Sequence, residues 1–138
     1  MRVFFDTNVI MDTMIEGRPS SEASRQIAQL AKLDVIRISI SALSISDAVY
    51  SCRKLFDHKA ILTSVDAMRK TWRVLKLDEY NIFDALRSDC PDFEDALQIS
   101  IAEGDCDVIV TNNTKHFKGH TALEVCTPGE FLARVSAG

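Results

Sequence analysis

The chain is expected to fold as an α/β protein, a single parallel sheet with helices on both faces. Three observations carry this expectation. Short apolar or β-branched segments alternate with longer segments of helical periodicity along the whole chain, which is the pattern of βα units. The segment Asp107 to Val110 (DVIV) is nearly all apolar, as a central strand covered on both faces must be. Polar residues directly follow two of the expected strands, Asp6 after the first and Thr111-Asn112-Asn113 after the fourth. Ligands of open α/β sheets bind just beyond the carboxyl ends of the strands, where these residues would lie.

Met1 to Asp12 (MRVFFDTNVIMD) reads as a strand over Arg2 to Phe5 that runs straight into a helix opened by Thr7 and Asn8, with Asp6 at the joint. Gly17-Arg18-Pro19 breaks the chain. A helix then spans about Ser20 to Leu33, with Ile27, Leu30, Ala31 and Leu33 at helical spacing. Asp34 to Ile40 (DVIRISI) is a second strand. In SALSISDAVYSCRKL, Ser41 can cap a helix whose apolar face is Leu43, Ile45, Ala48, Val49, Cys52 and Leu55, with Asp47 near its edge. His58 to Thr71 forms the next helix, and Arg69-Lys70 suit its carboxyl end. Trp72 to Leu77 is a third strand and Asp78 to Leu86 a helix. After the Pro91 break, Asp92-Phe93-Glu94-Asp95 starts a strong helix that ends near Gly104. The fourth strand is Asp107 to Val110, and Thr111 to Thr114 reads as polar loop. Leu123 to Cys126 is a weak fifth strand, and Pro128-Gly129-Glu130 opens a last short helix.

Size and composition narrow the function. At 138 residues the chain is expected to be one domain, residues 1–138, with one substantial core. The 46% apolar and 26% charged content suits a soluble globular protein rather than a disordered one. No apolar run approaches the roughly 18 residues of a membrane span. Strand residues follow Met1 at once without a cleavage-site pattern, so no signal peptide is expected. Cys52, Cys90, Cys106 and Cys126 form no C-x-x-C pair. That argues against a zinc site or a disulfide framework and for free thiols in a cytoplasmic setting. A net charge of −4 supplies no broad basic surface, so a nucleic-acid partner would need a local basic rim and a bound metal. Arg53-Lys54 and Lys115-His116-Phe117-Lys118 are candidates for that rim, with a solvated face as the plainer reading.

The chemistry lies in the acids. Asp6 emerges at the end of the first strand, Asp47 from a helix, and Asp92 and Asp95 share one face of a helix start because they are three residues apart. If the first and fourth strands are neighbours, Asp6 and the Thr111-to-Asn113 loop emerge side by side. Several carboxylates in one crevice repel one another, and a hard cation with oxygen ligands removes that cost. Mg²⁺ or Mn²⁺ suits such a donor set, lowers the pKa of a bound water and stabilises charge on a phosphodiester. Each acid also has a structural use: Asp6 and Asp92 can cap helices, Asp95 can serve the helix dipole, and Asp47 can be solvated. Asn113 can be a turn former. His58, His116 and His120 form no triad with a serine or cysteine and read as surface or loop residues.

These motifs resemble the PIN domain family, the nuclease fold of VapC-like toxins from toxin–antitoxin pairs. The likeness rests on VFFDTNVIMD (3–12), SALSISDAVY (41–50), DFEDALQ (92–98) and DVIVTNNTKHF (107–117), and covers nearly the whole chain. It implies five parallel strands in the order 3-2-1-4-5 and metal-dependent cleavage of RNA. It also implies that Asp6 and Asp95 hold Mg²⁺ or Mn²⁺ as the family's first and third acids, with Asp92 an additional acid. Asp47 is the nearest match to a family glutamate and is one methylene shorter. Asn113 stands where the family has a fourth acid, and an amide there adds no negative charge. Thr7, Asn8 and Thr111 are then expected to orient ligands from behind. The resemblance further implies an antitoxin protein partner and a homodimer, with the Ser41-to-Trp72 helical region as the expected contact. The alternative is a PIN domain that binds RNA or a protein without cleaving, which the amide at Asn113 favours. A phospho-receiver domain is a poor match, because only Asp6 follows the first strand and Asp78 has no matching lysine near the fifth.

Overall fold

The computed structural model describes residues 1–137. Its five strands are β1 (Arg2–Phe5), β2 (Arg37–Ser41), β3 (Arg73–Leu75), β4 (Val108–Val110) and β5 (Glu124–Cys126). Eight helices connect or flank them: α1 (Thr7–Met14), α2 (Ser21–Lys32), α3 (Ala42–Cys52), α4 (His58–Thr71), α5 (Glu79–Leu86), α6 (Phe93–Glu103), α7 (Thr114–Phe117) and α8 (Pro128–Ala137). The strands form one all-parallel sheet in the order β3-β2-β1-β4-β5, as the resemblance implies.

Alternation along each strand divides the core between two faces. Val3 and Phe5 of β1, Ile38 and Ile40 of β2, and Val108 and Val110 of β4 pack with Val9, Ile10 and Ile27 of the first two helices. Phe4 and Ile109 point the other way, against Ile99, Ile101 and Ala102 of α6. Both faces of β1 are therefore dry, which explains why RVFF reads as an unbroken apolar run.

Five of the elements depart from expectation at their boundaries. β2 starts at Arg37 rather than Asp34, because Asp34 closes α2 in a left-handed turn (φ 59°) and cannot extend the strand. β3 is limited to three residues, since Trp72 ends α4 and turns its ring edge-on to Phe5, 5.5 Å between centroids. β4 and β5 each begin one residue later than expected. Thr114, expected in a loop, instead opens α7, a single turn that buries Phe117.

Candidate acidic metal site

The central position of β1 fixes Asp6. Its backbone N–H continues the ladder to Val110 O at 3.0 Å, so the residue stays level with the end of β4. It is also the N-cap of α1, its Oδ1 accepting from Thr7 N at 2.8 Å. Oδ2 accepts from Thr111 Oγ1 at 2.8 Å and Asn8 Nδ2 at 3.0 Å. The carboxyl is 7% exposed. Burial pushes it above its ordinary pKa, against the pull of those donors and of His116. Asp6 is thus both the cap and an inward-facing acid, held by the Thr7 backbone N–H and by the side chains of Asn8 and Thr111.

α6 brings the next acids. Asp92 is its N-cap and accepts from Asp95 N at 2.9 Å. Asp95 follows in the first turn. Burial raises it, and the charges of Asp92 and Asp6 raise it further, so Asp6 and Asp95 sense one another. Asp47 comes from α3. Its partner is Glu94, which the periodicity did not single out. When protonated, Glu94 can donate a hydrogen bond to Asp47. That bond, burial, and the charges of Asp47, Asp92 and Asp6 push Glu94 up to about 7. With both groups charged neither can donate, and Asp47 Oδ2 is buried without a hydrogen-bond partner among the described residues. A buried, unpartnered carboxylate oxygen is costly and marks a place for positive charge.

The pairing has a measurable sign. A folded-state pKa of about 7 lies above the ordinary 4.5, so folded Glu94 holds an extra proton between those values. The associated stability is complete below pH 4.5 and is lost as pH rises through 7. Glu94→Gln removes that loss. Glu94 is exposed, so screening trims the gain to about 1 kcal/mol. Thermal melts in EDTA should show the variant roughly 3 °C more stable at pH 8 and little different at pH 4.5.

A buried polar network stiffens the floor. Gln98 is 1% exposed on α6. Its Nε2 donates to Ser44 Oγ at 2.7 Å, and its Oε1 accepts from Ser41 Oγ at 2.8 Å. Thr7 Oγ1 donates to Ser44 Oγ at 2.9 Å. One chain of hydrogen bonds therefore ties α1, α3 and α6, the helices that carry the acids. A glutamine three residues after Asp95 on an apolar helix was the available sequence signal.

The loop after β4 divides its two asparagines. Asn112 turns inward: its backbone N–H donates to Asn8 Oδ1 at 3.1 Å, and its Nδ2 donates to Asp12 Oδ2 at 2.8 Å. Asn113 is exposed, and its side chain caps nothing. Its backbone N–H donates to Thr111 Oγ1 at 3.0 Å. From α7, His116 reaches the acids instead, with Nδ1 3.4 Å from Asp95 Oδ2.

The donor chemistry suits a hard divalent cation. Neighbouring acids push Glu94 and Asp95 up, and among the described residues one buried carboxylate oxygen, Asp47 Oδ2, lacks a partner. Among the described residues, no three His, Cys, Asp or Glu side chains already converge at ligand distance. A cavity of about 450 Å³ lined by Arg2, Arg37 and Arg73 lies at the other end of the strands, away from this chemistry. The four cysteines are free thiols. Among the described residues no helix is long and apolar enough to cross a membrane.

This is an all-parallel α/β fold with acids gathered at the carboxyl edge of its sheet. The sequence profile described as PIN domain matches residues 2–115, and the chain belongs to the PIN domain family. Among curated proteins, none matches the sequence. Solved structures do. VapBC2 from Rickettsia felis, bound to a promoter DNA fragment, is 19% identical with a TM-score of 0.69, over 91% of this chain and 97% of that one. VapBC-1 from nontypeable Haemophilus influenzae is 17% identical with a TM-score of 0.68, over 94% and 99%. VapC20 from Mycobacterium tuberculosis, a sarcin-ricin loop cleaving toxin, is 12% identical with a TM-score of 0.67, over 88% and 98%. At such identities the likeness establishes the fold.

Proposed function

We propose that the protein is a divalent-metal-dependent endoribonuclease, a single PIN domain acting as the toxin of a toxin–antitoxin pair. The observation that carries this reading is a buried carboxylate oxygen of Asp47 with no hydrogen-bond partner among the described residues, beside Glu94 and Asp95, whose carboxyls are pushed up by burial and by neighbouring acids. The VapC relatives support it, one of them being a toxin that cleaves the sarcin-ricin loop.

Asp6 and Asp95 hold the cation, Mg²⁺ or Mn²⁺. Asp47 and Glu94 complete its surroundings, and Asp92 adds charge while capping α6. Asn113, exposed and without a hydrogen bond to the acids, is left out of this assignment. The cation supplies Lewis-acid activation of water and neutralises charge on the scissile phosphodiester. Thr7, Asn8 and Thr111 keep Asp6 in one rotamer, and the Gln98 network keeps the three helices in register. Lys115 and Lys118, exposed beside the site, are placed to meet the phosphate backbone of single-stranded or looped RNA. Arg53 is less free for this, its guanidinium lying 3.6 Å above the Tyr50 ring.

The partners follow from the surface. Tyr50, Leu55, Phe56 and Leu62 expose apolar area around the α3–α4 turn, which supports the expected homodimer contact. Tyr80, Ile82, Phe83 and Leu86 do the same on α5 and support docking of an antitoxin segment. The VapBC relatives are toxin–antitoxin assemblies by name. A cytoplasmic location suits an enzyme of this kind with four free thiols.

The second reading, a PIN domain that binds RNA or protein without cleaving, is favoured by the lack of a ready-made three-ligand cluster among the described residues. Calorimetric titration with Mn²⁺ separates the two. Wild type is expected to bind, and Asp95→Asn to bind at least about 100-fold more weakly. A wild type that takes up no Mn²⁺ at millimolar concentration, yet still binds RNA, would establish the second reading.

A further inference from the structure

We propose that His116 is a nitrogen ligand of the same cation, so that the site has a mixed oxygen–nitrogen donor set and favours Mn²⁺ over Mg²⁺. This rests on the metal site proposed above. Three observations carry it.

The first is distance. His116 Nδ1 lies 3.4 Å from Asp95 Oδ2. A sound N–H···O hydrogen bond is shorter, at about 2.7–3.2 Å. Two ligands each about 2.1 Å from one ion stand roughly 3.0–3.4 Å apart. The two groups are in ion-pair contact, and their spacing also fits neighbouring ligands of one ion.

The second is placement. The His116 side chain is 60% exposed while Asp95 is 20% exposed. The imidazole lies beside Asp95 at the carboxyl edge of the sheet. α7 is held there by Phe117, which is fully buried, and by His116 N donating to Asn113 O at 3.0 Å. A surface histidine on a loop would have no such anchor.

The third is exclusivity. The chain has three histidines. His120 Nδ1 is engaged by Asp89 at 2.9 Å, and His58 opens α4. Any imidazole nitrogen on the ion therefore comes from His116.

Imidazole binds borderline transition metals better than it binds Mg²⁺, which keeps to oxygen. The test is pulsed electron paramagnetic resonance on the full chain loaded with Mn²⁺, together with calorimetry for Mn²⁺ and Mg²⁺. Wild type is expected to show ¹⁴N modulation from a coordinated imidazole. His116→Gln is expected to lose it and to bind Mn²⁺ about 10-fold more weakly, with Mg²⁺ affinity changed far less. His116 is exposed, so circular dichroism should be unchanged in the variant. Mn²⁺ bound by wild type without nitrogen modulation, or with unchanged affinity in His116→Gln, overturns this inference and leaves the acidic site standing. A wild type that binds no Mn²⁺ overturns both.

Discussion

Asp6→Asn is expected to lower kcat/KM for RNA cleavage by at least about 1,000-fold while leaving the protein folded. The two effects separate because the residue has two uses. As an N-cap, asparagine serves nearly as well as aspartate: its carbonyl can still accept from Thr7 N, which lies 2.8 Å from Oδ1. On the other side, the amide nitrogen replaces Oδ2, and the Thr111 hydroxyl can rotate to accept. Asn8 loses its acceptor, a modest cost, and removal of a buried carboxyl offsets it. What asparagine cannot supply is negative charge toward a cation. Single-turnover cleavage of a labelled RNA, with a melt of the same sample, checks both halves. Retained cleavage removes Asp6 from the site, and a collapsed melt makes it a structural acid alone.

The largest effect on stability is expected at Arg18, far from the chemistry in sequence logic but not in space. Asp12 on α1 is 1% exposed. Its Oδ1 accepts from Arg18 Nε at 2.7 Å, and its Oδ2 accepts from Ser24 Oγ and Asn112 Nδ2. Arg18→Ala leaves this carboxylate buried without its cation, at a cost of about 3–5 kcal/mol. For a chain of this size the melting temperature should fall by roughly 10–15 °C. Arg18 is one-third exposed, so water entering the gap sets the lower end of that range. Urea unfolding at pH 7 measures it. Adding Asp12→Asn to Arg18→Ala should recover a large part, because the stranded charge is gone. A loss below about 1 kcal/mol in the single variant would mean that the pair contributes little.

Residues whose role depends on local pattern were legible in the sequence. Strand–helix alternation specified the parallel sheet, and the position of Asp6 after RVFF specified the crevice. The three-residue spacing in DFED placed Asp92 and Asp95 together. The misreadings have physical causes. Asp34 looked like the start of a strand because one left-handed residue leaves no periodic mark. Thr114 to Phe117 is too short a helix for a repeat to show. Glu94 faces Asp47 across two helices, and no spacing within one helix reports that approach. The same holds for Asn112, whose inward turn depends on Asn8 and Asp12, and for His116, whose reach depends on α7. Gln98 carried a signal of its own: one amide in an apolar stripe, which joins α1, α3 and α6 through buried hydrogen bonds.

The position of β1 bears on when the protein can become active during its own synthesis. β1 is made first but sits in the middle of the sheet, and one of its flanks is closed by β4. Asp6 and Thr111, which donates to it, are separated by 105 residues. At bacterial and eukaryotic elongation rates, about 5–20 residues per second, roughly 5–20 s pass between their emergence from the ribosome. Throughout that interval Asp6 lacks Thr111 and the Val110 carbonyl, and α6 has no strand to lead into. The crevice is therefore among the last parts of the molecule to assemble. For the ribonuclease proposed above, an unfinished chain would lack the assembled acidic site while still on the ribosome, and a partner that recognises the helices laid down earlier would meet the chain before that site is complete.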